Sequence, residues 1–580
     1  MRVLLVASAF NSLSQRVMCE LRDRGHSVAV ELAGRDAPSL ETVTRHAPDL
    51  LIAPMLTTAI PKEVWSARPC LIVHPGPPGD RGPSSLDRAV QEGAGRWGVT
   101  VLQAVEEMDA GPVWASEAFD VPAVGKSELY RGEVTDAAVK AVLRAVERFA
   151  SGTFEPRPQG SQGSFHPYLR QEERRIDWSS EPTAAVLRKL RAADSHPGVL
   201  DTFLGGEWYL CGGFEEDALT GAPGEVLATR HGAVCRATVD GAVWVPQLRP
   251  RGRAGGPRTY KLPAVLALGD RLPKVPELPA PLRSAAGRRT WTDIRYEEAG
   301  TVGFLRFSFP GGAMSTDQCR RLLDAYRFAV SRPVDVLVLG GARDFFSNGI
   351  HLGVIEAADD PAAESWACIH AMDDLVEAVL TTTDRLVVAA LAGNAAAGGA
   401  MLAMAADEVW CRSGTVLNPH YRLMGLYGSE YWTYTLPRRV GAEEAERLMC
   451  EAAPVSAATA LRLGLADRVL DCGPEEFAGE IARSAQRLAA SARLPELVGR
   501  KKAERERDEA IRPLSGYRAA ELTRMKEIFF DPGSPYHALR SAFVRKQPSP
   551  APSPDGRVRI VNNVGLCESA AEAFGRKERA

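Results

Sequence analysis

Short apolar runs alternate with longer amphipathic stretches along the first quarter of the chain. The runs Val3–Val6, Val28–Leu32, Leu50–Ala53 and Leu71–Val73 predict strands, and the stretches that separate the first three runs predict helices. This alternation is typical of a parallel sheet with helices on its faces. We therefore predict an α/β domain over 1–155. No G-x-G-x-x-G sequence follows the first strand, which leaves dinucleotide binding without support.

The hydrophobic pattern changes after residue 155. Short apolar runs separated by turn residues follow residue 204, and they predict a small antiparallel β-barrel, which we assign to a domain over 156–250. Residues 251–288 are rich in Pro, Gly and Arg, a composition that favours a linker.

A second α/β pattern begins near residue 291. Strands are predicted at Val302–Phe307, Val334–Leu339 and Leu386–Leu391, with helices between them. We assign this third domain to 289–546. The predicted fold class is therefore α/β, with a small β-barrel domain between two α/β domains.

The C-terminal sequence predicts mostly helices after residue 435, including one strongly charged helix over 501–530. The segment 547–580 begins Gln-Pro-Ser-Pro-Ala-Pro-Ser-Pro, which predicts a flexible tail.

The composition excludes several classes of function. The 580 residues carry 70 Lys and Arg against 73 Asp and Glu, so no overall field attracts nucleic acid and no such partner is expected. The 10 Cys form no C-x-x-C pair, which favours a reducing compartment and a cytoplasmic protein. None of the 10 His has ligand spacing with Cys, Asp or Glu, so no metal site is expected.

One stretch has the length of a membrane span. Leu386–Ala406 carries no charged residue, and at about 1.5 Å per residue it could cross a bilayer as a helix. Its interior is mostly Ala and Gly, with Asn394 in the middle. We therefore predict a buried strand, a glycine turn and a buried helix, and no membrane insertion.

A first candidate site begins at His74, which directly follows the predicted strand Leu71–Val73. In open α/β sheets, ligands bind at the carboxyl ends of the strands. A histidine there can donate a hydrogen bond to a tetrahedral oxyanion, and a carboxylate such as Asp109 can hold the histidine or relay a proton. A strand-end His and a turn Asp with purely structural roles are the alternative interpretation.

These motifs resemble the folate-dependent formyltransferases, over about 1–250. That family has an Asn-x-His-Pro strand end and a later Val-Asp-Ala-Gly loop, which here are Ile72-Val73-His74-Pro75 and Met108-Asp109-Ala110-Gly111. The resemblance implies 10-formyltetrahydrofolate as substrate and His74 and Asp109 as catalytic residues. Because the family's Asn is Ile72 here, Asn11 or Gln15, on the first strand-to-helix turn, is a candidate to replace it.

Two later loops resemble those of the enoyl-CoA hydratase/isomerase (crotonase) family, over 291–546. They are Asp344–Leu352 and the glycine-rich Ala392–Met401. The resemblance implies that the backbone N–H groups of Ile350 and Gly398 bind the carbonyl oxygen of a CoA thioester as it gains negative charge. Close packing of a helix on a strand would also explain the glycine-rich turn.

The same resemblance implies coenzyme A as a ligand. The sequence Phe543-Val544-Arg545-Lys546 is similar to a family stretch that packs on CoA and contacts its phosphates. Phe543, Arg545 and Lys546 are therefore candidate CoA-binding residues.

The two carboxylates of the hydratases are missing. Their positions hold Met401 and His420, so water addition has no evident acid or base. A polar and aromatic cluster follows, in which we predict Glu430 as a base and Tyr421 as the group that orients a formyl group or protonates a thiolate. His420 is the reserve candidate, and a packing helix with Glu430 on its solvated face is the alternative.

The fusion of a formyl-transfer site with a CoA-thioester site resembles a family of nickel–iron hydrogenase maturation factors. The resemblance implies formyl transfer from 10-formyltetrahydrofolate to CoA, followed by decarbonylation of formyl-CoA to CO and CoA. Hydrogenase maturation proteins or the hydrogenase large subunit would then be partners. Two alternatives stay open: a formyltransferase for another amine fused to an acyl-CoA hydrolase or lyase, and a non-catalytic scaffold that binds CoA or folate.

Overall fold

The structure is a computed structural model that describes residues 1–33, 39–159, 164–283 and 287–547. The predicted tail over 547–580 lies outside these ranges, apart from Gln547. The chain forms three consecutive regions, which we describe in order.

The first region is a sheet covered by helices. Its elements are β1 (Arg2–Ala7), α1 (Ser12–Asp23), β2 (Ser27–Leu32), α2 (Leu40–His46), β3 (Leu50–Met55), α3 (Lys62–Ala67), β4 (Cys70–His74), β5 (Asp80–Arg81), α4 (Ser85–Glu92), β6 (Arg96–Gln103), β7 (Val113–Asp120), α5 (Lys126–Leu129), a π-helical turn (Tyr130–Val134) and α6 (Thr135–Ser151).

The described strands of this sheet follow the order β2-β1-β3-β4-β6-β7. Strands β2, β1, β3 and β4 are parallel, as predicted, whereas β6 and β7 are antiparallel to their neighbours. Strand β7 reverses because the short loop 104–112, and not a helix, joins it to β6. Helices α1 and α6 pack on one face of the sheet and α2 and α3 on the other.

The second region is mainly antiparallel. Its elements are β8 (Ser164–Phe165), α7 (Gln171–Arg174), α8 (Thr183–Ala192), β9 (Val199–Phe203), β10 (Gly206–Cys211), β11 (Phe214–Glu216), β12 (Val226–Arg230), β13 (Ala233–Ala237), β14 (Ala242–Val245), β15 (Gln247–Pro250), β16 (Leu262–Pro263), α9 (Ala264–Leu268) and a 3-10 turn (Gly269–Arg271).

Two four-stranded ladders, β16-β15-β10-β9 and β11-β14-β13-β12, share one apolar core with α8 in the described part of this region. The segment predicted as a linker over 251–288 supplies β16 and α9. Ala264 and Leu268 are buried in that core. The composition of the whole segment is dominated by Pro, Gly and Arg, so it did not predict the short apolar run that forms α9.

The third region is the second α/β unit. Its elements are β17 (Ile294–Ala299), β18 (Val302–Phe307), a 3-10 turn (Pro310–Gly312), α10 (Thr316–Val330), β19 (Val336–Gly340), α11 (Leu352–Ala357), α12 (Pro361–Thr381), β20 (Leu386–Leu391), β21 (Ala395–Ala396), α13 (Gly398–Met404), β22 (Glu408–Arg412), β23 (Val416–Asn418), a 3-10 turn (Tyr421–Met424), α14 (Trp432–Val440), α15 (Ala442–Glu451), β24 (Val455–Ser456), α16 (Ala457–Leu463), β25 (Arg468–Leu470), α17 (Phe477–Ala489), α18 (Leu494–Ile511), α19 (Leu514–Phe530) and α20 (Pro535–Val544).

Strands β18, β19, β20, β22 and β25 are parallel, and β17 is antiparallel at one edge. The uncharged stretch Leu386–Ala406 forms the buried strand β20, a partly exposed turn that contains β21, and the buried helix α13, so the predicted strand, turn and helix are confirmed. Within the described ranges, no helix combines the length and apolarity needed to cross a bilayer. The prediction of a single charged helix over 501–530 is wrong. The segment forms two helices, because Pro513 lacks an N–H and disfavours helical backbone at Arg512.

Ion pairs join the first region to the third. The Nε of Arg131, in the π-helical turn, donates to Oδ1 of Asp344 at 2.7 Å, and its Nη2 donates to Oδ2 at 2.6 Å. Nη1 of Arg412 donates to Oδ2 of Asp136 at 2.6 Å. Asp344 begins the loop predicted to bind a thioester, so the first region is anchored directly on that loop.

Candidate active sites

His74 is the last residue of β4, and its ring lies between two carboxylates. Its Nε2 lies 2.7 Å from Oδ2 of Asp80, and its Nδ1 lies 3.7 Å from Oδ2 of Asp109. The three side chains are almost completely shielded from solvent. Nε2 can therefore share a proton with Asp80, whereas the Asp109 carboxylate lies beyond hydrogen-bond distance of Nδ1.

A glycine makes the contact between His74 and Asp80 possible. A Cβ atom at Gly76 would lie 2.2 Å from Oδ2 of Asp80 and 2.5 Å from Nε2 of His74, so no larger residue fits. Sequence reasoning missed Asp80 as a site residue. The available signal was the spacing of Gly76 and Gly82 around it, which is typical of a loop that folds back on its strand.

Asp109 is held by the neighbouring loops. Its backbone is left-handed, with φ of 56°, a conformation that Asp tolerates better than most residues. Its Oδ2 accepts a hydrogen bond from the N–H of Gly82 at 3.1 Å. Nε2 of Gln159 donates to the Asp109 carbonyl at 2.8 Å, while Oε1 of Gln159 accepts from the N–H of Gly79 at 2.9 Å. Gln159 thus joins the Asp80 loop to the Asp109 loop.

Asn11 and Gln15 are engaged by local contacts at the start of α1. Asn11 caps the helix, and its Nδ2 donates to the hydroxyl of Tyr130 at 3.2 Å. Nε2 of Gln15 donates to the carbonyl of Phe10 at 3.0 Å. Neither contact reaches His74, so the replacement of the missing Asn by one of these two amides stays a prediction.

The two loops predicted to bind a thioester lie against each other. The N–H of Ala396 donates to the Ser347 carbonyl at 2.8 Å, and a Cβ at Gly349 would lie 3.1 Å from the nitrogen of Gly398. Ile350 follows Gly349, and Gly398 begins α13. In the described chain neither the Ile350 nor the Gly398 N–H has an acceptor, so both can bind a developing oxyanion.

Glu430 lies against Gly398. A Cβ at Gly398 would be 2.5 Å from Oε1 of Glu430, and Oε2 accepts hydrogen bonds from the Tyr421 hydroxyl at 2.7 Å and the Ser429 N–H at 3.1 Å. Glu430 is 2% exposed, which excludes the solvated-face alternative. Burial raises the pKa of Glu430, and burial together with the Glu430 charge raises the pKa of Tyr421.

The positions of the missing hydratase acids have other surroundings. Nδ1 of His420 lies 3.0 Å from the carbonyl of Asn418, and burial lowers the pKa of His420, which favours a neutral ring. Met401 packs into the apolar core of the third region. The buried carboxylate at these loops, that of Glu430, comes from a later position in the chain than either of them.

The predicted CoA-binding residues lie at the end of α20. Nζ of Lys546 lies 4.6 Å from the centre of the Phe543 ring, and partial desolvation together with the like charge of Lys261 lowers the pKa of Lys546. Arg545 is already paired with Glu356. Sequence reasoning did not single out Lys261, because only the fold brings this residue of the predicted linker within electrostatic range of Lys546.

Three known families match successive parts of the chain. They are described as Formyl transferase over residues 33–146, Formyl transferase, C-terminal domain over 168–255, and Enoyl-CoA hydratase/isomerase over 307–529. The chain is also 25% identical, over 41% of its length, to a methionyl-tRNA formyltransferase of Geobacillus thermodenitrificans, and it covers 76% of that protein.

Two relatives match nearly the whole chain. The hydrogenase maturation factor HoxX of Bradyrhizobium diazoefficiens is 46% identical over 552 residues, which are 94% of this chain and 95% of that protein. A crystal structure of HypX from Aquifex aeolicus in complex with tetrahydrofolic acid superposes with a TM-score of 0.92 at 44% identity, covering 96% of this chain and 98% of that chain.

Proposed function

The chain belongs to the family of hydrogenase maturation factors that includes HoxX and HypX, and we propose that it makes carbon monoxide in two steps. The first step transfers the formyl group of 10-formyltetrahydrofolate to the thiol of CoA. The second step breaks formyl-CoA into CO and CoA, so that CoA is regenerated. The tetrahydrofolic acid complex of the Aquifex relative supports the folate substrate.

His74 and its two carboxylates carry the first step. As the CoA thiolate attacks the formyl carbon, the formyl oxygen gains negative charge until the bond to the folate nitrogen breaks. Asp80 holds Nε2 of His74 at 2.7 Å, whereas the Nδ1 contact with Asp109 is 3.7 Å, so the Nδ1 side faces the substrate. His74 then donates a hydrogen bond to the oxyanion, and Asp109 relays the proton that the CoA thiol loses to the leaving nitrogen.

Glu430 and Tyr421 carry the second step. The N–H groups of Ile350 and Gly398 hold the formyl oxygen, and Glu430 takes the formyl proton. The electron pair of the C–H bond stays on carbon as the lone pair of CO, a lone pair of the oxygen completes the carbon–oxygen triple bond, and the C–S pair leaves with sulfur. Glu430 returns the proton to the thiolate, directly or through Tyr421, so that no net proton is consumed.

The observation that carries this proposal is the Tyr421–Glu430 pair packed against Gly398. A crotonase frame without its two hydratase carboxylates has no acid or base for adding water. A buried carboxylate with a raised pKa at the oxyanion loops supplies a base of a different kind.

Lys546 and Lys261 are the proposed contacts for the phosphates of CoA. Neither ammonium is paired with a carboxylate in the described chain, whereas Arg545 is engaged by Glu356. Phe543 is 52% exposed and offers an apolar surface beside them.

We propose that the CO becomes a ligand of the iron in nickel–iron hydrogenase, as family membership suggests. Hydrogenase maturation proteins or the hydrogenase large subunit would then receive it.

The experiment separates the two steps. The whole protein receives 10-formyltetrahydrofolate and CoA, or purified formyl-CoA alone, and a haem probe measures CO. His74→Ala should lose CO with the folate substrate and keep it with formyl-CoA, whereas Glu430→Gln should lose it with both. Glu446→Gln, an exposed carboxylate of α15, is the matched control. Absence of CO from the unmodified protein with formyl-CoA would overturn decarbonylation and leave the acyl-CoA hydrolase alternative.

A further inference from the structure

Two more carboxylates, Asp373 and Glu521, are buried beside Glu430. Both are 0% exposed. Asp373 lies in the middle of α12, where Asp is an unfavourable helix residue, and Glu521 lies on α19. Buried carboxylates destabilise a fold unless other groups compensate them, so their presence here requires a reason.

Both carboxylates bind the backbone of the segment that carries Glu430. The N–H of Glu430 donates to Oδ1 of Asp373 at 2.8 Å. The N–H of Tyr431 donates to Oε2 of Glu521 at 2.9 Å, and the N–H of Thr433 donates to Oε1 of Glu521 at 2.8 Å. Two helices that are distant in sequence therefore hold three N–H groups of one short segment.

The backbone of that segment is strained. Glu430 and Tyr431 have φ angles of 61° and 59°, in the left-handed region that residues other than glycine rarely adopt. Such conformations persist only where the surrounding structure enforces them, and they cluster at functional sites. Relaxation of φ at Glu430 would swing its carboxylate away from Gly398.

We propose that Asp373 and Glu521 are positioning residues for CO release: they hold Glu430 and Tyr431 in the left-handed conformation, so that the Glu430 carboxylate stays between Tyr421 and Gly398. The inference rests on the role proposed above for Glu430. It assigns the two buried carboxylates to the geometry of the base and not to contact with the substrate.

The electrostatics support a functional reason. Burial raises the pKa of Glu521 to about 7, and burial together with the Glu430 charge raises the pKa of Asp373. The Nε of Arg518 lies 3.7 Å from Oδ2 of Asp373, an oxygen without a hydrogen-bond partner in the described chain. A Ser or Thr side chain at the start of α14 could accept hydrogen bonds from the free N–H groups of that helix. Capping alone would therefore not require buried carboxylates.

The test measures kcat and KM for CO release from purified formyl-CoA. Asp373→Ala and Glu521→Ala should lower kcat ~100-fold with KM unchanged, since a misplaced catalytic group costs that much without loss of binding. Asp373→Asn keeps an amide oxygen for the Glu430 N–H and should restore most of kcat. Glu521→Gln keeps one of two acceptor oxygens and should lie between Glu521→Ala and the unmodified protein.

Matched controls come from the same helices. Asp374→Ala removes a carboxylate that follows Asp373 on α12 and contacts Arg518 but not Glu430. Glu527→Ala removes an exposed carboxylate of α19. Both should release CO like the unmodified protein, and consumption of 10-formyltetrahydrofolate in every variant reports that the chain is folded.

Amide hydrogen exchange supplies a second readout. Exchange at 430–433 should accelerate in both Ala variants and stay slow in Asp373→Asn. If folded Ala variants keep kcat, or if Asp373→Asn falls as far as Asp373→Ala, the positioning role is overturned. If the Ala variants do not fold, the comparison of Glu521→Gln with Asp373→Asn tests the proposal. The proposal requires a lower kcat and faster exchange in Glu521→Gln than in Asp373→Asn. Equal kcat values and equal exchange rates in the two variants overturn it. Full CO release by Glu430→Gln would instead overturn the proposed function.

Discussion

The two candidate sites use carboxylates in opposite settings. In the first site, Asp80 and Asp109 face the two nitrogens of His74, a group that can take up a positive charge. In the second site, Glu430 accepts hydrogen bonds from a hydroxyl and an N–H but contacts no cation in the described chain, and burial raises its pKa. A carboxylate can therefore support a histidine in one half and act as the base itself in the other.

The difference predicts which kind of change each half tolerates. The first site should depend on the charges that flank His74. The second should depend on the burial that raises the pKa of Glu430. Variants and pH can test this contrast in one protein, because each half has its own assay.

Removal of one flanking charge should have the largest effect. Asp80→Asn preserves the shape of the side chain but removes its charge, so His74 should lose its orientation and formyl transfer should fall ~100-fold. The rate of 10-formyltetrahydrofolate consumption checks this, with exposed Asp120→Asn as control. A normal rate in Asp80→Asn would show that the carboxylate facing Nε2 is dispensable. It would contradict the proposed difference between the two sites.

Tyr421→Phe tests the hydrogen bond of the second site. A hydrogen bond to a charged group contributes about 1.5–3 kcal/mol, so CO release from formyl-CoA should fall about 20-fold with little change in KM. Formyl transfer in the same variant should be unchanged. A fall in both activities would indicate damage to the fold and not the loss of one contact.

The pH dependence of CO release should report Glu430 together with the two buried carboxylates beside it, Asp373 and Glu521, whose pKa values are also raised. The base must be ionised, and its pKa is raised, so kcat should fall about tenfold for each pH unit below a midpoint above that of an ordinary carboxylate. The Tyr421 hydrogen bond lowers the Glu430 pKa, so Tyr421→Phe should move the midpoint to higher pH. A midpoint that stays in place or moves lower contradicts the assignment.

Substitution of the two lysines should have the smallest effect. Lys546→Ala or Lys261→Ala should raise the KM for CoA about threefold at low salt, and the difference should shrink as salt screens the phosphates. Arg545→Ala should change KM less than Lys546→Ala, because Arg545 is engaged by Glu356. Exposed Lys274→Ala is the control. Equal changes in KM for Lys274→Ala and Lys546→Ala would contradict the proposed phosphate-binding site.

The sequence located the sites through local patterns. An apolar run that ends in His74 predicts a strand end, and ligands bind at such ends in parallel sheets. The glycines of Ala392–Met401 predict a tight turn into a helix, and the structure has one there. The strand end and the turn into a helix are both confirmed, because each depends on residues close together in the chain.

The missed residues depend on contacts between distant segments. Asp373 is one acid within a long helix, and Glu521 is one acid in a charged stretch, so neither differs in sequence from a solvated residue. The role proposed for them rests on their burial and on their hydrogen bonds to the backbone of 430–433, which no local pattern encodes. The linker prediction failed in a similar way, because α9 is stabilised by a core formed from strands upstream of it.

The Arg131–Asp344 ion pair has a consequence for inheritance. Arg131 belongs to the formyltransferase half, and Asp344 opens a loop of the crotonase half, so each half presents a surface shaped for the other. A gene that joined the first half of one relative to the second half of another would mismatch this contact unless both partners were preserved. The two halves are therefore expected to descend as a unit, with changes on one side of the junction accompanied by changes on the other.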